Sequence, residues 1–210
     1  MADPRPTRIA ILDSGINTDH PHIEGMGTIE IGRTIGVGGI SADVDGADRL
    51  GHGTAVAAAI LDIAPGSSVY SIQVFIDSLD CPFENVLIGL EQAITWGPDL
   101  VNLSLGTTLP TFAERLAELV ESGAQRGARI VAPASMSGLP SYPGSLSGVE
   151  AVAEDPSRPR DEPVRERRGD RDYWFASPYP RDLPGLSRVA NLSGISMATA
   201  NVTGYLARQL

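Results

Sequence analysis

Short continuous apolar runs at residues 7–12, 68–75, 100–105, 129–134 and 149–153 alternate along the chain with longer segments in which apolar residues recur every three or four positions. A run without polar alternation suits a strand covered on both faces, which is the condition of a strand in a parallel sheet. In the longer segments Phe83, Val86, Leu87, Leu90 and Ile94 keep a helical period, and Phe112, Leu116, Leu119 and Val120 repeat it downstream. Parallel strands need crossovers of about this length. The pattern therefore predicts a single α/β domain, with a mostly parallel sheet flanked by helices on both faces.

Composition agrees with that picture. The chain has 210 residues, 42% apolar and 20% charged, the balance of a globular domain with one hydrophobic core. No apolar stretch approaches the ~20 residues that span a bilayer, so no membrane partner is expected. Residues 1–6 hold no apolar core of a secretion signal, and Cys81 is the only cysteine, so no internal disulfide can form. A cytoplasmic location is expected. The 26 acids against 16 bases, all arginine, give a net charge of −10 and disfavour nucleic acid as a partner. Residues 155–172 differ from the rest: six acids and six arginines alternate there, and Pro156, Pro159, Pro163 and Gly169 break every period. This stretch reads as a solvated charged loop or insert.

Reactive groups on α/β sheets collect beyond the carboxyl ends of strands. Asp13 stands at such an end, opening the turn Asp13-Ser14-Gly15. His52 lies between Gly51 and Gly53 at the start of a strongly helix-forming stretch, where the glycines let another group come close. His20 and His22, by contrast, sit in a polar loop. Ser196 opens a second helical segment after Gly194, where free N–H groups and the positive helix end stabilise an anion formed beside it. Each residue alone has an ordinary structural explanation as turn, loop or cap. Together they stand in the order Asp, His, Ser, 39 and 144 residues apart, with His52 the candidate base and Ser196 the candidate nucleophile. No cofactor is expected, because no glycine pattern ends in the Lys-Ser/Thr of a phosphate loop.

The motifs Asp13-Ser14-Gly15, His52-Gly53-Thr54 and Gly194-Ile195-Ser196-Met197-Ala198 resemble the signatures of the subtilisin-like serine proteases, the subtilases. Ala64-Pro65, residues 101–106 and Tyr142-Pro143-Gly144 also resemble family segments, so the likeness runs nearly end to end. The resemblance implies a minimal, partly divergent subtilisin-like domain over residues 1–210. It further implies a serine endopeptidase working through an acyl-enzyme, with Asp13, His52 and Ser196 as its triad. By the same resemblance Ser104, Leu105 and Gly106 form one wall of the substrate pocket and Ala132, Pro133 and Ala134 the other. Ser141 then lies near the floor, where a serine in place of the family's common glycine favours small side chains.

The departures carry information too. Subtilases usually place an Asn side chain in the oxyanion hole, whereas this chain reads Ser135-Met136-Ser137 there. Ser135, Met136 and Ser137 are the oxyanion-hole candidates, with the two hydroxyls as the available donors. Losing such a donor costs roughly 10²–10³ in rate, so a slow enzyme is expected. Ile195 stands where the family usually has Thr, Ala200-Asn201 where it has Pro-His, and Ala55 where a second His follows His-Gly-Thr. The segment before Ala64-Pro65 is too short for the family's common calcium loop, so no metal is expected. A trimmed core of this kind suits cleavage of one dedicated peptide substrate, such as a leader-bearing precursor. The alternative is a catalytically impaired subtilase that serves as a peptide-binding scaffold.

Overall fold

The apolar run after Thr7 forms β1 (Arg8–Asp13), in which Ile9, Ala10, Ile11 and Leu12 are all fully buried. A computed structural model describes residues 5–36, 38–41 and 45–210. Residues 1–4, which bear on the expected lack of a secretion signal, lie outside the described residues. The remaining strands are β2 (Thr28–Gly36), β3 (Gly39–Ser41), β4 (Ser68–Gln73), β5 (Leu100–Leu103), β6 (Arg129–Pro133), β7 (Ser135–Met136), β8 (Leu139–Pro140), β9 (Val149–Glu154), β10 (Val164–Arg168) and β11 (Arg171–Ala176). The helices are α1 (His52–Ile63), α2 (Phe83–Trp96), α3 (Ala113–Gln125) and α4 (Ile195–Ala207).

Among the described residues one sheet has nine strands, in the order β10-β11-β9-β6-β5-β1-β4-β2-β3. Every pair from β11 to β2 is parallel, and only the outermost pairs, β10 with β11 and β2 with β3, are antiparallel. The fold is therefore the α/β class the pattern predicts. Successive residues of a strand face opposite sides, and β1 shows the consequence. Ile9 and Ile11 pack with α1 and α4, while Ala10 and Leu12 pack with α2 and α3. Helices thus cover both faces, and the apolar faces of the sheet are shielded from water.

Helices α1 and α4 approach closely because Gly204 has no side chain. A Cβ there would fall 2.9 Å from the Ile60 carbonyl oxygen and 3.0 Å from Ile63 Cβ. Since α1 begins at His52 and α4 at Ile195, this contact brings both helix starts to one edge of the sheet. Parallel strands place all their carboxyl ends on that edge, so Asp13 after β1 and Ser104 after β5 arrive there as well.

The charged stretch 155–172 differs from the expected loop. Its first part is turns, but β10 and β11 form a hairpin that extends the sheet at its β9 edge, with Arg165 opposite Trp174 and Arg167 opposite Asp172. Alternating Arg and Glu satisfies an edge strand whose side chains meet solvent, so charge here disguises a β-strand.

Candidate active site

His52 and Asp13 meet across the sheet edge. His52 Nδ1 lies 2.7 Å from Asp13 Oδ1, and both side chains are nearly closed off from solvent, 12% and 2% exposed. The Ser14 N–H donates to the same oxygen at 2.7 Å, which fixes the carboxylate in the turn. With Asp13 held, the imidazole presents its other nitrogen to the cleft. Burial pulls the His52 pKa down, but the Asp13 hydrogen bond and charge, aided by Asp48, outweigh burial and hold it above its usual 6.5.

Gly53 shows why glycine follows this histidine. A Cβ at position 53 would stand 2.1 Å from the Gly15 carbonyl oxygen and 3.2 Å from Asp13 Cβ, so a side chain there would drive α1 away from the end of β1. Any larger residue would part His52 from its aspartate.

Asp48 is a residue that sequence reasoning missed. Its Oδ1 accepts from Ser14 Oγ at 2.8 Å and from the N–H groups of Leu50 and Gly51 at 3.0 and 2.8 Å. Its Oδ2 accepts from the Thr54 N–H at 2.8 Å and the Thr54 hydroxyl at 2.6 Å. One carboxylate therefore binds the free N–H groups at the start of α1 to the turn after β1, and sets the position of His52. The only trace in the sequence is an aspartate a few positions before Gly51. Asp48→Ala is expected to cost about 2 kcal/mol, because several donors lose a charged acceptor. A thermal melt should show Tm lower by about 6 °C.

Ser196 lies in the first turn of α4. Its hydroxyl donates to the Ser104 carbonyl at 2.9 Å, and Ser104 Oγ donates back to the Ser196 carbonyl at 3.0 Å. The Asn102 side chain donates to Ser104 Oγ at 2.9 Å, and Thr203 Oγ1 donates to Asn102 Oδ1 at 2.9 Å. This buried chain of polar groups locks the end of β5 to α4, so the serine and one wall of the cleft move as a unit. His52 and Ser196 line one cavity of about 270 Å³, together with Ser104, Leu105, Gly106 and Met136. Phe75, Phe83, Val86 and Cys81 supply an apolar flank, and burial, then the Asp80 charge, pushes the Cys81 thiol up to about 11. That thiol stays protonated at neutral pH and does not compete as a nucleophile.

The remaining sequence-derived site residues divide between this cavity and other places. Ala132 is fully buried in β6, Pro133 ends that strand, and Ala134 and Ser135 line a different groove. Ser141 is fully buried, and its Oγ would lie 2.3 Å from a Cβ on Gly106, which leaves little depth at that point. A β-bridge between Thr107 and Tyr142 joins the segment beyond Gly106 to the floor.

Of the three oxyanion-hole candidates only Met136 reaches the cavity. β7 and β8 form a tight hairpin whose turn residues Ser137 and Gly138 have φ of 51° and 78°, and Ser135 and Ser137 are exposed. The two hydroxyls proposed as donors therefore stand outside the cleft. At the start of α4 the Ser196 N–H precedes the first intrahelical bonds. Among the described residues no cluster of His, Cys, Asp or Glu is arranged to hold a metal ion. Among the same described residues no helix is long and apolar enough to cross a membrane.

A parallel sheet that gathers an Asp–His pair and a helix-opening serine on its carboxyl edge defines the subtilisin-like fold class. Comparison with known proteins agrees. The model of the Subtilase family matches residues 5–154, a span that includes Asp13 and His52. Subtilisin Savinase of Lederbergia lenta is 31% identical over 212 residues, covering 95% of this chain and 74% of that protein. M-protease of Shouchella clausii is also 31% identical over 212 residues and 95% of this chain, which spans 53% of its length, about half. Among solved structures, a cold-adapted subtilisin-like serine proteinase aligns with a TM-score of 0.71 at 21% identity, over 98% of this chain and 76% of that one. The prenylagaramide maturation protease PagA aligns with a TM-score of 0.70 at 24% identity, over 97% and 75%. The chain belongs to the subtilase family.

Proposed function

We propose that the chain is a serine endopeptidase that cleaves a dedicated precursor peptide. The observation that carries this reading is the 2.7 Å His52–Asp13 contact with Ser196 on the same cavity. Ser196 Oγ leaves the Ser104 carbonyl and attacks the scissile carbonyl while His52 takes its proton. Asp13 keeps the Nδ1–H tautomer and stabilises the imidazolium. The oxyanion is met by the Ser196 N–H and the positive end of α4. His52 then protonates the leaving amine, and water hydrolyses the acyl-enzyme by the same base. The apolar flank at Phe75, Phe83 and Val86 favours an extended substrate with apolar side chains beside the scissile bond.

Dedication to one substrate is supported by Met136 on the cavity at the position where the resemblance implies an Asn donor, and by the likeness to a protease named for maturation of a peptide product. Cytoplasmic placement is supported by the single cysteine. The test is to incubate candidate precursor peptides with the protein and with Ser196→Ala and follow the products by mass spectrometry. A single defined cleavage that the variant lacks supports the proposal, whereas equal products from both contradict it.

Met136 and the pairing of Ser196 with Ser104 favour a second reading, a peptide-binding scaffold with an impaired site. The Met136→Asn variant separates the two. An enzyme short of one oxyanion donor should gain up to ~10²-fold in kcat when an amide is supplied, with KM little changed. A scaffold should show no turnover before or after the change.

A further inference from the structure

The charged hairpin builds a second concavity beside the cleft. A groove of about 1020 Å³ runs behind the β7–β8 hairpin and is lined by Arg165, Arg167, Arg168 and Arg171 with Tyr173 and Phe175. Ala134 and Ser135 line this groove, while the next residue, Met136, lines the cavity of His52 and Ser196. Consecutive residues of one segment thus line both concavities.

The lining of the groove carries a small net positive charge on an acidic protein. Its lining carries four arginines against Glu150, Asp170 and Asp172, whereas the whole chain has a net charge of −10. Arg165 and Arg167 share the single carboxylate of Asp172, at 3.1 and 3.8 Å, and Arg168 pairs with Glu166 at 3.2 Å. Arg171 makes no ion pair among the described residues. Its guanidinium donates instead to the carbonyls of Gly144 and Leu146 at 2.5 and 2.7 Å, which fixes the groove to the loop that carries the cleft floor. Arg168 stacks over Phe175 at 4.0 Å, so its charge is held in place while its side chain remains 62% exposed. Among the described residues β10 ends the sheet on this side, and its outer backbone edge can add an extended peptide.

We infer that this groove docks an acidic stretch of the substrate peptide, at a distance along the chain from the bond to be cut. The inference rests on the protease reading for its choice of occupant, but its test does not require turnover. Fluorescence anisotropy would compare a labelled peptide carrying a run of glutamates with a matched peptide carrying glutamines, both titrated with the Ser196→Ala protein.

The glutamate peptide is expected to bind at least about tenfold more tightly, with the advantage fading between about 50 and 500 mM salt. The double variant Arg167→Gln, Arg168→Gln changes two exposed side chains and should erase most of that difference, while Arg115→Gln on α3 should not. Equal binding of the two peptides, or an advantage that survives the double variant, would overturn the inference. So would single-stranded DNA binding as tightly as the glutamate peptide, which would mark a general polyanion surface. Failure of Ser196 to act as a nucleophile would remove the protease reading and leave these binding constants standing, so the two failures are distinguishable.

Discussion

Replacing Ser196 with alanine is expected to lower peptide turnover by about 10⁶-fold if the site is fully competent, and to the uncatalysed level if its oxyanion donors limit it first. The reason is geometric. The hydroxyl sits in the first turn of α4 on the cavity that His52 lines, and no other nucleophile there is activated. Cys81 shares the cavity, but its pKa of about 11 keeps it a neutral thiol. The folded state should tolerate the change, because the lost bond to the Ser104 carbonyl contributes about 1 kcal/mol and the reciprocal bond from Ser104 Oγ remains. Single-turnover assays with a cleavable precursor, beside a thermal melt, would separate lost chemistry from lost structure. Residual turnover within tenfold of the parent would place the nucleophile elsewhere.

Asp13→Asn is expected to lower kcat by ~10⁴-fold with the fold intact. The asparagine amide can meet His52 Nδ1 with an N–H, which leaves the imidazole as the wrong tautomer to accept the serine proton. The pH profile should change with it. In the parent His52 titrates above 6.5, so the rate should rise with pH through that higher midpoint as the base becomes neutral. In the variant burial is no longer outweighed by the Asp13 charge, and the midpoint of the residual rate should move to lower pH.

The same shift has a consequence for stability. A histidine whose folded pKa is raised stabilises the fold fully below its unfolded value of 6.5 and loses that contribution as pH rises through the folded value. The Asp13–His52 pair therefore makes its largest contribution in mildly acidic solution, where the proposed activity should be lowest. A pH series of thermal melts on parent and Asp13→Asn proteins checks this directly, since the gap between them should narrow as pH rises.

Much of the fold was legible because parallel strands covered on both sides are uninterrupted apolar runs. β1, β4, β5, β6 and β9 stand within a residue or two of where the pattern put them, and α2 and α3 coincide with their periodic stretches. β2 escaped notice because most of its residues are partly exposed, so polar and apolar positions mix. β10 was hidden for a stronger reason. Val164–Arg168 holds four charged residues, and only the antiparallel partner β11 shows that they form a strand.

The candidate site divides in the same way. The gathering of Asp13, His52 and Ser196 at one end of the sheet was readable because strand ends and helix starts leave marks in glycine and apolar spacing. Asp48 was not, since its work is to accept N–H groups of its own loop and no periodicity records that. The hydroxyls of Ser135 and Ser137 were misplaced because a two-residue turn reverses the chain at Ser137–Gly138 and faces them outward. Sequence identity supplied the right atoms there, and the hairpin decided their direction.

The proposed activity rests on His52, held by Asp13, making Ser196 a nucleophile. Labelling with a fluorophosphonate probe and mapping the adduct by peptide mass spectrometry tests it without knowledge of the substrate. One adduct is expected, on Ser196, formed faster as pH rises and absent from Ser196→Ala. A folded protein that takes no label, or takes it on another residue, would contradict it.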